Sequence, residues 1–395
     1  MRFRSVAPYL ALAAALAGVW PILWPPGPNL GDHFLLWNVG RMVIEGRSPY
    51  DPVAWADAAA RFPGPVVEDA AVNVIPNLQG TGTIWAYPPW TALLFAPFGA
   101  LPVGLGTSAL HLAYVLAGIA ASVAFARSFA WRARTTYAVA LAISATFQPF
   151  VMGTRAGQFG AFILLGIALA FRGLAGGAGT RSAGALLCSV KPHLFGVFAP
   201  VFIVVLVRVR GARQLVMPAA VVTVVAATTL LRYPDAIPAM ARGVAERTAA
   251  VGLFATTWAV VRELTGGVDG LVVAILIGAA ILASIVAVGR ADPELRLPLA
   301  LACSLALSLV VSPYVQSYDD IVLLPGAFVA LYAAERAAPP VRSALAVATI
   351  VVAAIAPWLA ILTQMLSGTQ AASGALPFLF VALLLAASFA RPRPA

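Results

Sequence analysis

Apolar runs of helix-spanning length follow one another along this chain, at 7–24, 107–125, 135–150, 159–174, 216–231, 271–288, 297–311, 321–334, 344–362 and 375–389. An α-helix needs roughly 20 apolar residues to cross the hydrocarbon of a bilayer. Backbone amides in lipid find partners only within helices or closed barrels. The runs therefore predict an all-α polytopic membrane protein, a transmembrane helical bundle of about 10–13 membrane segments. Composition agrees, with 61% of residues hydrophobic and 10% charged, where soluble domains carry about a quarter charged. Since no soluble stretch interrupts the pattern, 1–395 reads as a single integral membrane domain.

The net charge of +10 sits in arginine-rich connectors: "MRFR", "ARSFAWRART", "RVRGARQ", "GRADPELR", "ERAAPPVRS" and "RPRPA". Basic residues in short loops mark the cytoplasmic side, so this charge predicts topology and argues against a nucleic-acid partner. The start, "MRFRSVAPYLALAAALAGVWPILW", has the basic-then-apolar form of a signal peptide and is read as an uncleaved first anchor. Cys188 and Cys303 lie inside apolar segments, where packing accounts for them. With no His/Cys cluster, neither a tightly held metal ion nor a cofactor is expected.

Placing all these connectors in the cytoplasm forces three features on the remainder. The segment 183–208 becomes a membrane hairpin that rises from the cytoplasmic side, with "KPHLFG" at its tip. The stretch "YPPWTALLFAPFGALP" enters from outside and turns back. The first extracytoplasmic loop, 25–87, is long and carries short amphipathic helices. A further outer segment, 232–258, is also amphipathic: Ile237, Met240, Ala241, Val244, Thr248 and Val251 share a face, with Arg242 and Glu246 turned away. Such a helix lies flat at the headgroup level.

Five stretches on the outer side carry candidate chemistry. In "GDHFLLWNVGRMVIEGRSPYDP", Asp32 suits a general base at the membrane surface, or the N-cap of a helix. That helix would place Asn38, Arg41 and Glu45 on its polar face and Leu36, Trp37, Val43 and Ile44 on its apolar one. In "AYPPW", Tyr87 and Trp90 suit a sugar-stacking wall or a headgroup belt. In "GTRAGQFG", Gln158 can bond a sugar or phosphate and Arg155 can pair with phosphate, or snorkel to headgroups. In "SPYVQSYDDIVLLPGA", Asp319 and Asp320 beside Tyr318 suit polyol binding or helix capping.

The fifth stretch holds the only lysine of the chain, Lys191, followed by Pro192 and His193. A cation at the bilayer centre costs about 2.5–3.5 kcal/mol on insertion scales, so it is rarely kept without an anionic partner. The hairpin's own sequence offers no carboxylate. A lipid phosphate arriving sideways from the bilayer would supply the anion.

Taken in order, these stretches resemble glycosyltransferase family 87, a branch of the GT-C superfamily that uses polyprenol-phosphate-mannose. The resemblance runs through Asp32, Trp37 and "VGRMVIEGRSPYDP", then "YPPWTALLFAPFGALP", Gly157-Gln158, Lys191-Pro192 and "SPYVQSYDDIVLLPGA". It covers about residues 30 to 330. Many members carry a histidine pair where this chain reads Tyr318-Asp319, so no histidine-based role is carried over.

The resemblance implies a membrane glycosyltransferase that moves a sugar, mannose in the family, from a polyprenyl-phosphate donor to a hydroxyl of a glycolipid or glycan. The reaction would occur with inversion on the extracytoplasmic face of the plasma membrane. Asp32 would be the base. Lys191, Arg155 and Gln158 would bind the donor phosphate, and Trp37, Tyr87, His193, Tyr318, Asp319 and Asp320 the sugar and acceptor. The competing expectation is a secondary transporter or flippase for lipid-linked sugars, which shows paired interrupted helices in its two halves. Only one such hairpin is visible here.

Overall fold

The structure, a computed structural model, describes residues 31–61, 85–251, 255–369 and 371–390. The expected anchor at 7–24, most of the second half of the 25–87 loop and the tail "RPRPA" lie outside the described residues. α1 (Gly31–Ile44) and α2 (Pro52–Arg61) come first, then α3 (Thr91–Gly99) and the long α4 (Val103–Ala126). α5 (Arg134–Thr146) and α6 (Gln148–Ala156) form one span, broken at the extended backbone of Phe147. α7 (Gly160–Gly173) and α8 (Ala178–Cys188) lead through a 3-10 turn, Pro192–Phe195, to α9 (Phe198–Arg210). Next are α10 (Val216–Arg232), α11 (Ala236–Val251), α12 (Thr257–Thr265), α13 (Gly270–Arg290) and α14 (Pro293–Val311). A second 3-10 turn, Asp319–Leu323, runs into α15 (Leu324–Arg336). α16 (Pro339–Ile350) continues through a π-helical turn into α17 (Ala356–Ser367), and α18 (Ala371–Gly374) and α19 (Leu376–Ser388) close the described chain.

Among the described residues there is no strand, and 7 helical stretches are long and apolar enough to cross a membrane. The protein is thus an all-α, multi-pass membrane protein. α15 is buried along nearly its whole length and forms the centre, flanked by α14 and α19. α10 lies at the perimeter, with only 6% of its most apolar window buried inside the protein. Its surface is therefore left to lipid. Local chemistry sets several helix starts: Asp269 accepts from the amides of Leu271 and Val272 to cap α13, and Asp292 with Pro293 behind it opens α14.

The arginine-rich connectors meet one another. Glu335 accepts the amides of Arg132, at 2.9 Å, and Ala133, while Arg336 pairs with Glu294 at 2.7 Å. These contacts bring "ARSFAWRART", "GRADPELR" and "ERAAPPVRS" to one end of the bundle. Arg181 bonds the carbonyls of Gly173 and Gly176 and the side chain of Gln214, and Arg210 bonds Leu174. "RVRGARQ" is tied in this way to the α7–α8 turn.

One amphipathic assignment, that of α1, needs correction. α1 was expected to float at an interface with Asn38 on its wet face and Ile44 on its buried one. Instead Asn38 is buried with Phe34, Leu35, Val39 and Met42, and Ile44 is exposed. Gly40 and Gly99 explain this, because a Cβ on either would collide with the backbone of the opposing helix, at Phe95 and Arg41 respectively. α1 and α3 cross in backbone contact there, and that contact fixes the packed side of α1. In α11 the packed residues are Ala236, Ala239 and Gly243, whereas Ile237 and Val244 are exposed. The expected apolar face points outward, as a lipid-facing surface would.

Candidate functional site

The site begins at a helix end. α6 stops at Gly157, which takes the left-handed conformation at φ 79°, and the Gln158 amide then bonds the Gly153 carbonyl at 2.8 Å. This is the Schellman arrangement that glycine permits. It throws the Gln158 side chain toward the first turn of α1, where Nε2 donates to the Asp32 carboxylate. No larger residue fits at 157, because a Cβ there would run into the backbone and ring of His33. Tyr114 on α4 holds the cap from the other side, donating to the Gly157 carbonyl at 3.0 Å. Next to Asp32, His33 meets His111 of α4 at 3.3 Å between ring nitrogens, both rings buried.

Asp32 and Gln158 line a narrow pocket whose walls include Trp55, Trp85, Tyr87 and Phe159. Tyr87 is fixed by its neighbours: its ring meets Phe159 and Trp85 edge-on at 4.7 and 5.0 Å, and its carbonyl accepts from the Tyr50 hydroxyl at 2.5 Å. Burial pushes the Tyr50 phenol above its ordinary range, so it acts as a neutral donor.

Behind Tyr87 and Phe159 lies Lys191. Trp90 Nε1 donates to Ser189 Oγ at 3.0 Å and Thr91 bonds the Val190 carbonyl, so the "YPPW" turn is clamped to the tip of the α8–α9 hairpin. Lys191 precedes Pro192, which disfavours helix at that position, and its backbone leaves the helical region. The ammonium is 2% exposed and boxed by the rings of Phe159, Tyr318 and Tyr87, with Nζ 5.1, 5.0 and 5.6 Å from their centroids. Its anion comes from within the chain: Asp319 Oδ1 stands 2.7 Å from Nζ. The expectation that the ammonium lacks a carboxylate is therefore corrected. The partner lies 128 residues away in sequence, outside the hairpin in which it was sought.

Other expected site residues fall elsewhere. Trp37 does not line the pocket; it is five residues, or roughly 140°, round the helix from Asp32, and its Nε1 bonds the Leu101 carbonyl at 3.0 Å. Arg155 is exposed on the last turn of α6, with no hydrogen bond or ion pair among the described residues. Asp319 is engaged by Lys191 and by the Gln316 amide, so it offers little to a polyol. Asp320 is wholly buried and does not line the pocket. His193 is half-buried against Tyr314, with ring centroids 5.7 Å apart. Tyr318 and Tyr87 are brought to the lysine as aromatic walls. Sequence reading missed Trp55, Trp85, Phe159 and the His33–His111 pair; the aromatics of "IWAYPPW" and "GQFG" were the available signal.

The arrangement joins a half-buried carboxylate, oriented by an amide at a pocket, to a buried ammonium one aromatic layer away. The carboxylate can take a proton at the pocket, and the ammonium is balanced by Asp319. Among the described residues no group of three or more His, Cys, Asp or Glu could hold a metal ion.

Against known families, the model named Glycosyltransferase family 87 matches residues 85–313, more than half of the 395. The matched stretch contains Tyr87, Gln158 and Lys191, and leaves Asp32 and Tyr318–Asp320 outside. No curated protein and no solved structure matches the chain. The family match decides for a transferase over a transporter.

Proposed function

Because the chain belongs to glycosyltransferase family 87 and is a multi-pass membrane glycosyltransferase, we propose that it transfers mannose from a polyprenyl-phosphate donor. The acceptor is a hydroxyl of a glycolipid or glycan on the extracytoplasmic face of the plasma membrane. The whole chain, 1–395, acts as one catalytic unit, with the 25–87 loop and the 232–258 segment on the outer side and the 183–208 hairpin in the membrane.

The main support is the juxtaposition of Asp32, held by Gln158 at the pocket, with Lys191 behind the Tyr87–Phe159 wall. Asp32 accepts the proton of the acceptor hydroxyl. The freed oxygen attacks the anomeric carbon from the face opposite the phosphate, inverting it. The bond from that carbon to the phosphate oxygen breaks, and its electron pair leaves on the polyprenyl phosphate. A phosphate needs little protonation to depart, so a single base suffices. Lys191 has three N–H donors, one of them engaged by Asp319. The rest of its donor capacity serves the phosphate as charge grows there, which is stabilisation of a developing anion.

The test is transfer of radiolabelled mannose into lipid or glycan by purified protein in bilayers, from polyprenyl-phosphate-mannose and from a mannose nucleotide in parallel. Product from the lipid donor alone is expected. Direct transfer from the nucleotide would overturn the donor assignment.

A further inference from the structure

The positive charge of this chain is spread unevenly. From residue 70 to 234 there is no Asp or Glu, so α7, α8, α9 and α10 bring no carboxylate of their own. The two turns between these helices nevertheless meet as an arginine corner. Arg210 Nε donates to the Leu174 carbonyl at 2.7 Å, which ties the end of α9 to the α7–α8 turn. Arg181 is buried as a strut between the turns. Its guanidinium donates to the carbonyls of Gly173 and Gly176, at 2.9 and 2.7 Å, and to Gln214 Oε1. Around the strut, Arg172, Arg210 and Arg213 are exposed. The side chains of Arg172 and Arg213 make no hydrogen bond or ion pair among the described residues. The other arginine-rich connectors are matched from within: Arg336 pairs with Glu294, Arg290 lies over the Phe389 ring, and Arg342 bonds the Glu335 carbonyl.

Two further features fit an anion at this corner. α8 starts after Gly177 with no side-chain cap, its first residues Ala178 and Gly179 are exposed, and a Cβ at Gly177 or Gly179 would meet nothing within 4 Å. Amides at a helix start lack intrahelical partners and attract negative charge. Exposed Val209, Val216 and Met217 flank the arginines along the chain, and α10 leaves the corner along the perimeter of the bundle. Guanidinium groups flanked by apolar side chains suit the boundary between headgroups and acyl chains. A topological signal requires only basic residues in a loop; here the fold also gathers them and leaves them unmatched. We propose that this corner binds an anionic phospholipid, its headgroup phosphate held by Arg172, Arg210 and Arg213 beside the start of α8. Pairs of guanidinium with phosphate are charge-assisted and often bidentate. The phosphate bridges the α7–α8 and α9–α10 turns, at the opposite end of α8 from Lys191.

The experiment reads lipid binding and needs no sugar transfer. The full chain, immobilised in detergent, is equilibrated with radiolabelled dioleoylphosphatidylglycerol or dioleoylphosphatidylcholine, with and without inorganic phosphate. Phosphatidylglycerol is expected to bind about tenfold or more tightly than phosphatidylcholine, and an equal concentration of inorganic phosphate leaves it bound. Arg172→Gln with Arg213→Gln, which breaks no contact within the described chain, brings the two lipids to within about twofold and keeps the melting transition. Each single variant gives part of that loss, which keeps the site testable should the double variant fail to fold. Arg242→Gln with Arg262→Gln removes the same charge from exposed positions on α11 and α12 and keeps the preference. The idea is overturned if the wild type binds both lipids within about twofold of each other, or if the Arg172 and Arg213 variants keep the full preference. An equal loss from the Arg242 and Arg262 variant also overturns it, by assigning the effect to overall charge. Displacement by inorganic phosphate assigns the corner to a soluble anion and overturns the lipid.

Discussion

The Asp32 pocket and the Lys191 pair are neighbours built on opposite principles. Around Asp32 the carboxylate is half-buried at the pocket wall and held by Gln158. Around Lys191 the charge is 2% exposed, its carboxylate 1%, and both are internally matched. Tyr87 and Phe159 belong to both, lining the pocket on one side and facing the ammonium on the other. A site that binds a neutral polyol is best left open, because desolvating hydroxyls requires matched hydrogen bonds at the moment of binding. A cation buried at membrane depth needs a resident anion before any ligand arrives. The difference is that the Lys191 charge is balanced within the chain, whereas the Asp32 carboxylate faces a pocket.

Breaking the pair has the largest effect. Lys191→Met leaves Asp319 buried without a counter-ion and destabilises the protein by about 3–5 kcal/mol, seen as a lowered melting transition in detergent. Replacing both partners, Lys191→Met with Asp319→Leu, restores most of that stability while transfer stays about 100-fold down. Wild-type transfer in the double variant would break the comparison and make the pair structural only. Gly157→Ala comes next. Strain at a left-handed position costs about 1–3 kcal/mol, and the collision with His33 displaces Gln158 from Asp32. Transfer should fall at least tenfold while helical content by circular dichroism is kept. Smallest is Tyr50→Phe, which removes one hydrogen bond to the Tyr87 carbonyl, worth about 1 kcal/mol. A few-fold rise in acceptor KM with donor KM unchanged would sharpen the assignment of Tyr87 to the acceptor side.

Much of this architecture is legible in the sequence because hydrophobic length and proline placement act locally. The spans and the non-helical tip at Lys191-Pro192 follow from such cues, whereas Asp32 and Gln158 are singled out only by the family resemblance. What escapes is set by packing between distant segments. Asp319 answers Lys191 across 128 residues, and nothing in the hairpin announces it. The packed side of α1 depends on Gly40 meeting Phe95, so a wheel drawn on hydrophobicity turns Asn38 outward, and the resemblance alone carries Trp37 to the site. Trp85 stands two residues from Tyr87, but only the fold shows that its ring meets Tyr87 edge-on in the pocket wall.

The most direct test of the account is steady-state transfer by Asp32→Asn with polyprenyl-phosphate-mannose and acceptor both saturating. The substitution keeps the shape and a bond to Gln158 but removes the base. The account predicts kcat lowered by about 100- to 10,000-fold, with donor KM and melting transition unchanged. A kcat within a few-fold of wild type would contradict it.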